Sequence, residues 1–418
     1  MDDHKNLTSI FIVPRGSSEW KGNEAGWITA SGWAAAGEQL WGDAVVTTTD
    51  GLFNPRESRL FPKGNENSSV RTSSTSIKKS IRKLVPEVFI TAYKDWKLKN
   101  SQPDVWPIEE KGVLGGKEVK MVWERYDLCA RPGRRLADKY NVALVTSVEG
   151  LAVWEAEKWG VKRPIWGKDL EISVEAKSLK NSDLVCCVSQ EVKDTVISMG
   201  IPESKVIVTP NRVDATLFNP EIDGSEIEKQ YNLKGKKVLG WTGSFRSFHA
   251  IDNIINAFSI IHKKHPDTLL MLVGDGKEYD EIARMVKENN LSDSVIMPGK
   301  KAFTDIPKYV ANFYISLVSA RSSEGFHYSP LKLREYMGAG KAVIAPNAGD
   351  LPTLFNDGSD LLLYEAGNYN SLADKILTLL ENPKLHEVLV NNSKSWFEKE
   401  GSWTHELKRV CNILKIQY

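Results

Sequence analysis

The sequence predicts an α/β protein made of two parallel-sheet units in series. Three observations carry this expectation. Short β-branched runs alternate with longer segments of helical period over most of the chain, the pattern of parallel strands covered by helices. That pattern runs once through the first half and restarts after a stretch rich in turn formers. The length of 418 residues corresponds to roughly two or three domains.

In the first half, strands are expected at 9–14, 44–48, 118–123, 142–148, 184–188 and 206–209. In the second they are expected at 237–240, 269–273, 295–297, 313–317 and 342–345. Between the two series, Pro210-Asn211-Arg212-Val213-Asp214 and the polar stretch 219–236 replace apolar periodicity with turn residues. A hinge there would leave a cleft. The segment 62–83 is Ser-rich and carries Lys63, Arg71, Lys78, Lys79, Arg82 and Lys83 against Glu66. It reads as a solvated insertion or as a docking patch for a membrane surface or an anionic acceptor. No internal repeat of solenoid period is present.

Apolar residues at 41% and charged residues at 26% match a soluble globular chain and exclude disorder throughout. Fifty-five basic against fifty-four acidic side chains leave a charge of +1, so no global field recruits nucleic acid or an anionic membrane, and any basic binding surface is local. The acidic N-terminus has the wrong charge for a signal peptide, and no run of about 20 apolar residues could span a bilayer. A cytoplasmic location is expected, with membrane-peripheral contact left open by 62–83. Cys129, Cys186, Cys187 and Cys411 show no metal-ligand spacing and read as reduced core residues.

Two segments carry the chemistry. In Ser329-Pro330-Leu331-Lys332-Leu333-Arg334-Glu335-Tyr336-Met337, Ser329 suits an N-cap and Pro330 the first helical position, so a helix is expected to start here. Its free backbone N–H groups would attract phosphate at the carboxyl edge of the sheet. Glu335, on the same helix, could reach ribose hydroxyls. An ordinary capped helix with a solvated Glu335 explains the segment equally well. The second segment, Gly240-Trp241-Thr242-Gly243-Ser244-Phe245-Arg246-Ser247-Phe248-His249-Ala250, follows a strand and precedes a helix, an anion cradle to which Arg246 and His249 could add positive charge. Gly274-Asp275-Gly276 reads mainly as a strand-to-helix turn.

In this order and about 90 residues apart, these segments resemble the nucleotide-sugar domain of retaining family 4 glycosyltransferases of the GT-B fold. The subgroup has motifs like Gly-Ser-Phe-Arg-x-x-His and Ser-Pro-Leu-Lys-x-x-Glu-Tyr-Met. Pro-Asn-x-Val-Asp, Val-Gly-Asp-Gly and Gly-Lys-Ala-Val-Ile-Ala at 340–345 also fit, and the likeness is good over 184–364. The first half is thinner: Val122-Trp123-Glu124-Arg125-Tyr126, Leu170-Glu171 and Asn181-Ser182-Asp183-Leu184-Val185 resemble the subgroup, and 50–117 resembles nothing known.

The resemblance implies two Rossmann-like domains facing across a cleft: an acceptor domain, 1–209 with a crossing-back C-terminal helix at 400–418, and a donor domain, 210–399. It implies donor contacts from Gly26, Gly243, Ser244, Phe245, Arg246, His249, Ser329, Pro330, Leu331, Lys332 and Glu335. Two departures stand out. The family's usual Arg and Lys after the glycine turn fall on Ser244 and His249, leaving Arg246, helped by His249 or Lys332, to meet the diphosphate. The family's paired glutamates are eight positions apart, and eight before Glu335 stands His327, whereas Glu324 is followed by Gly-Phe as in the usual motif. Either Glu324 or His327 therefore faces the donor sugar as a candidate catalytic residue alongside Arg246.

The implied reaction moves a sugar from a nucleotide-sugar to an acceptor hydroxyl of a glycan, a lipid-linked molecule or a small molecule, with retention of anomeric configuration. Helix-end N–H groups and Arg246 would stabilise the leaving diphosphate without a metal or other cofactor. No Asp-x-Asp occurs in the chain, and His4 is the first half's sole histidine, which leaves an inverting enzyme without its usual base. A nucleotide-sugar epimerase or phosphorylase on the same fold and a catalytically decayed sugar-nucleotide-binding protein are the alternatives. Ten of thirteen tryptophans lie between Trp20 and Trp166; Trp20, Trp27, Trp33 and Trp41 could stack on an acceptor, though core packing accounts for each of them better.

Overall fold

A computed structural model of the chain describes residues 6–16, 25–55, 86–100, 103–110, 114–129, 132–158, 160–326 and 329–418. The chain forms two compact units, Met1–Pro210 with Glu406–Tyr418, and Asn211–His405.

The first unit is a seven-stranded sheet of β1 (Leu7–Ile12), β2 (Val45–Thr47), β3 (Leu52–Phe53), β4 (Glu118–Arg125), β5 (Leu144–Val148), β6 (Leu184–Cys187) and β7 (Val206–Val208), in the order β3-β2-β1-β4-β5-β6-β7. All neighbours run parallel except β3, which is antiparallel to β2. Every residue of β5 and β6 is buried. Parallel strands covered on both faces read as continuous apolar runs for this reason. Cys186, Cys187 and Cys411 are free and buried, and burial pushes the Cys187 and Cys411 thiols up to about 12.

Five tryptophans of this unit pack inward. Trp27, Trp33, Trp41, Trp106 and Trp123 are at most 2% exposed, and Trp33 lies 6.0 Å from Trp123. Trp27, Trp33 and Trp41 are thus core pillars and offer no open stacking face; Trp20 lies outside the described residues. The closing helix Trp403–Leu414 carries the fully buried Glu406, paired with Arg409 at 2.8 Å. Arg409 also donates to the Val208 carbonyl, and Trp41 Nε1 donates to the Gln417 carbonyl at 3.1 Å, which anchors the tail in the first unit.

The second unit is a six-stranded, fully parallel sheet of β8 (Lys237–Thr242), β9 (Thr268–Val273), β10 (Val295–Gly299), β11 (Ile315–Leu317), β12 (Ala342–Pro346) and β13 (Leu362–Tyr364), in the order β10-β9-β8-β11-β12-β13. The chain winds outward in one direction from β8 and in the other from β11, so the order reverses between them. In open α/β sheets the carboxyl ends at such a reversal form the ligand crevice. Register is fixed there by Ile315 opposite Leu239 and Ser316 opposite Gly240. A Cβ on Gly240 would stand 2.1 Å from the Phe313 ring, so glycine lets that ring close over β8.

The helix Ile251–Lys264 buries Ile254, Ile255, Phe258 and Ile261 on one face of this sheet, each contributing about 1.5 to 3 kcal/mol when withdrawn from water. Leu331–Gly338 buries Leu333, Tyr336 and Met337 in a second cluster with Val238 and Val343. Among the described residues no helix is long and apolar enough to cross a membrane.

Candidate functional site

The polypeptide leaves β8 at Thr242 through Gly243, whose φ of 147° suits glycine. Gly243 N donates to the Val273 carbonyl at 2.9 Å. The turn after β9 nests against it so closely that a Cβ on Gly274 (φ 149°) would fall 1.7 Å from the Gly243 carbonyl oxygen. Gly274 is therefore a packing partner of the cradle, beyond its expected turn role.

Phe245 corrects an expectation. Its side chain is fully buried, edge-on to Trp241 at 5.4 Å, and its backbone is spent on loop bonds: N to the Asp275 carbonyl at 3.0 Å, and O accepting from Glu278 N at 3.1 Å. It shapes the loop and has no free group for a donor. Ser244 is half-buried beside it. Arg246 is exposed; its N donates to the Ser244 carbonyl at 2.9 Å and its O accepts from His249 N at 2.9 Å, while its guanidinium has no partner among the described residues.

His249 also departs from expectation. Its ring sits between Phe248 at 4.2 Å and Trp241 at 5.7 Å. Burial, aided by the positive charges of Lys332 and Arg246, pushes its pKa down to about 2. The imidazole is neutral and adds no positive charge to the cradle.

Opposite this loop stands the helix Leu331–Gly338. Its entry differs by one residue from the sequence reading: Pro330 occupies the N-cap, with φ −62° and ψ 116° and no side-chain cap. Ser329 cannot cap because its Oγ accepts from Asn211 N at 3.2 Å, while Asn211 Nδ2 donates to the Ser329 carbonyl at 2.7 Å. The first N–H groups of the helix are left without a side-chain acceptor, the condition in which a helix end receives an anion. Leu331 is half-buried and Pro330 buried.

Lys332 projects from this end under the glycine loop. Its Nζ lies 4.1 Å over the Trp241 ring and 2.7 Å from where a Gly243 Cβ would be. That ammonium is buried without a hydrogen-bond partner among the described residues. Burial lowers its pKa to about 7 against the opposing pull of Glu335. Glu335, 7% exposed and one turn on, is raised by burial to about 7 with Lys332 opposing. Tyr336 locks the helix to the end of β8, its hydroxyl accepting from Thr242 N at 2.8 Å.

The segment after β11 joins the same site. Arg321 clamps Asp252 at 2.6 and 2.7 Å, and donates from Nε to the Ser247 carbonyl at 3.1 Å. Sequence reasoning missed this arginine because its carboxylate partner lies 69 residues away. Glu324 is exposed three residues further on. His327 lies outside the described residues, as do 17–24 and 56–85, which include the basic segment 62–83.

Gly26, in the first turn of the helix Ala25–Trp41, belongs to the first unit. A Cβ there would stand 2.8 Å from the Arg125 guanidinium, which pairs with Glu149 at 3.1 Å. Its immediate role is to leave room for that arginine.

Residues 223–396 match the family described as Glycosyl transferases group 1, and residues 124–217 match Glycosyltransferase Family 4. An uncharacterized glycosyltransferase of Methanocaldococcus jannaschii is 33% identical over 239 residues, 56% of this chain and 59% of that protein. The N-acetyl-alpha-D-glucosaminyl L-malate synthase of Bacillus anthracis is 27% identical over 210 residues, 50% of this chain and 53% of that protein. The chain thus spans between half and three fifths of the length of these relatives. Among solved structures, HepE of Anabaena in complex with UDP and glucose superposes with a TM-score of 0.65 at 16% identity, covering 98% of this chain and 99% of that one. Sucrose-phosphate synthase of Thermosynechococcus elongatus gives 0.62 at 17% identity, covering 98% of each. The chain therefore has the GT-B fold, with residues 124–217 and 223–396 matching two glycosyltransferase family models.

Proposed function

We propose that the protein is a glycosyltransferase that moves a sugar from a nucleoside diphosphate donor to an acceptor hydroxyl, with retention of configuration and without a metal ion. The observation that carries this is the buried Lys332 ammonium, without a hydrogen-bond partner among the described residues, at an uncapped helix end facing the Gly243 turn at the reversal between β8 and β11. A buried charge without a partner is costly, and a diphosphate would supply its counter-charge. Bound diphosphate would also hold Lys332 in its charged form, raising a pKa that burial has lowered. Glu335, one turn on, would accept hydrogen bonds from ribose hydroxyls.

In the transfer, the bond from the anomeric carbon to the diphosphate oxygen breaks as the bond to the acceptor oxygen forms on the same face. The acceptor proton passes to the leaving phosphate. Arg246, exposed, adds charge as the leaving group becomes more negative, and Lys332 with the helix N–H groups holds the phosphates throughout. The acceptor is a glycan, a lipid-linked molecule or a small molecule.

The test is donor consumption by the full chain in the presence of a chelator, over a panel of UDP-, GDP-, ADP- and TDP-sugars. Turnover with chelator supports the reading; turnover restored only by magnesium or manganese refutes its metal-free part. Donor binding with no hydrolysis or transfer under any condition makes the protein a binder, a reading favoured by Ser244 and the neutral His249 at positions where the family carries Arg and Lys. A retained or inverted product, read by NMR, decides the stereochemistry.

A further inference from the structure

The first unit carries a helix, Glu87–Asn100, whose outer face is aromatic. Phe89, Tyr93 and Trp96, four and three residues apart, are 66%, 61% and 61% exposed, and helical spacing aligns them in one stripe. Tyr93 and Trp96 stack at 6.0 Å. Lys94 and Lys97 are exposed beside the stripe with no hydrogen bond or ion pair among the described residues. The carboxylate in the middle of the helix turns the other way: Asp95 accepts from Arg163 Nε at 2.8 Å and Nη2 at 3.0 Å and from Trp166 Nε1 at 2.8 Å. The loop held by this lock exposes Ile165 at 84% and Lys162. Glu87, the helix's other described acid, is exposed at its start, away from Trp96.

We propose that this face docks the protein on an anionic lipid surface. Three large rings kept in water forgo burial of about 150 to 250 Å² each, so the stripe is spare binding area. Tyrosine and tryptophan suit a headgroup layer because each has an apolar body and a polar tip. The lysines flanking the rings can extend to phosphates while their stems cover apolar surface. The charge pattern selects the occupant: Asp95 is neutralised inward by Arg163, and the outward cations have no acidic partner among the described residues, so the face complements negative headgroups. This inference does not depend on the transferase reading, and its test contains no donor.

The full chain is sedimented with vesicles of phosphatidylcholine alone and of phosphatidylcholine mixed with phosphatidylglycerol. The wild-type protein is expected to sediment with the mixed vesicles and to be released by salt. Lys94→Ala with Lys97→Ala should weaken that binding about thirtyfold. Phe89→Ser, Tyr93→Ser and Trp96→Ser together should weaken it by at least roughly tenfold, with circular dichroism unchanged because these side chains are exposed. If the triple variant misfolds, the lysine pair carries the test. The proposal is overturned if wild-type protein stays in solution with mixed vesicles, or if folded variants sediment as well as wild type does. It is also overturned if wild-type protein ignores vesicles but forms dimers that the triple variant abolishes, which would make the face an interface between copies.

Discussion

The ammonium of Lys332 stands 4.1 Å over the indole of Trp241, joining the helix that follows β11 to the strand that opens the second sheet. Because this charge and the carboxyl of Glu335 are both buried, pH should register in the stability of the whole unit. Glu335, raised to about 7 from an ordinary 4.5, keeps its proton in the native state over that interval while the unfolded chain loses it. Stability should therefore fall as pH rises from 4.5 to 7. Lys332, lowered to about 7 from 10.5, is neutral in the native state above 7 while the unfolded chain still holds the proton, so stability should recover between 7 and 10.5. Urea denaturation should show Glu335→Gln losing the fall and Lys332→Met losing the recovery. Curves parallel to wild type in both variants would place these groups in water.

Arg246 should matter for the chemical step more than for donor affinity. Its guanidinium is exposed and has no partner among the described residues, so it can meet charge that grows on the leaving group. Arg246→Ala is expected to lower kcat by more than it raises the donor dissociation constant. Equal effects would make it an anchor, and no effect would leave it on the surface.

On the proposed transferase reading, Glu324 and His327 are the two candidates to face the donor sugar, and they predict opposite signatures. If His327 must hold one protonation state, turnover should change with an apparent pKa of about 6 to 7, and His327→Gln should flatten that limb. A flat profile, with severe loss in Glu324→Gln and near-normal turnover in His327→Gln, assigns the role to Glu324.

The cradle's shape should be intolerant of one methyl group. Gly274→Ala would set a Cβ 1.7 Å from the Gly243 carbonyl oxygen at a φ of 149°, and the obstacle is backbone, which cannot swing aside. A loss of about 2 kcal/mol or more is expected, measured by thermal and chemical denaturation. Wild-type stability would mean that the two turns are less tightly nested.

The strands were legible because parallel sheets covered on both faces leave long apolar runs. Two escaped: β3, two residues long and antiparallel, and β13, Leu362–Tyr364. The cradle was legible at Gly243 and at the start of the helix near 330, since turns and helix ends follow local rules. Which side chains fill it was not. Phe245 reads as a loop residue until Trp241 and Tyr279 are seen around it, and Ser329 reads as a cap until Asn211 claims its hydroxyl. Burial sets both the neutrality of His249 and the lowered pKa of Lys332, and burial depends on contacts across more than 80 residues of sequence.

The central claim, that the Gly243 turn and the Lys332 helix end hold a nucleoside diphosphate, is tested most directly by calorimetric titration. The full chain is titrated with UDP, GDP, ADP and TDP at pH 8 in buffers of different ionisation enthalpy. At least one nucleotide is expected to bind with uptake of a proton, as the largely neutral Lys332 becomes charged against the diphosphate. Lys332→Ala and Glu335→Ala should each weaken binding by on the order of 1.5 to 3 kcal/mol, and Lys332→Ala should abolish the uptake. Failure of all four nucleotides to bind, or unchanged affinity in both folded variants, would contradict the account.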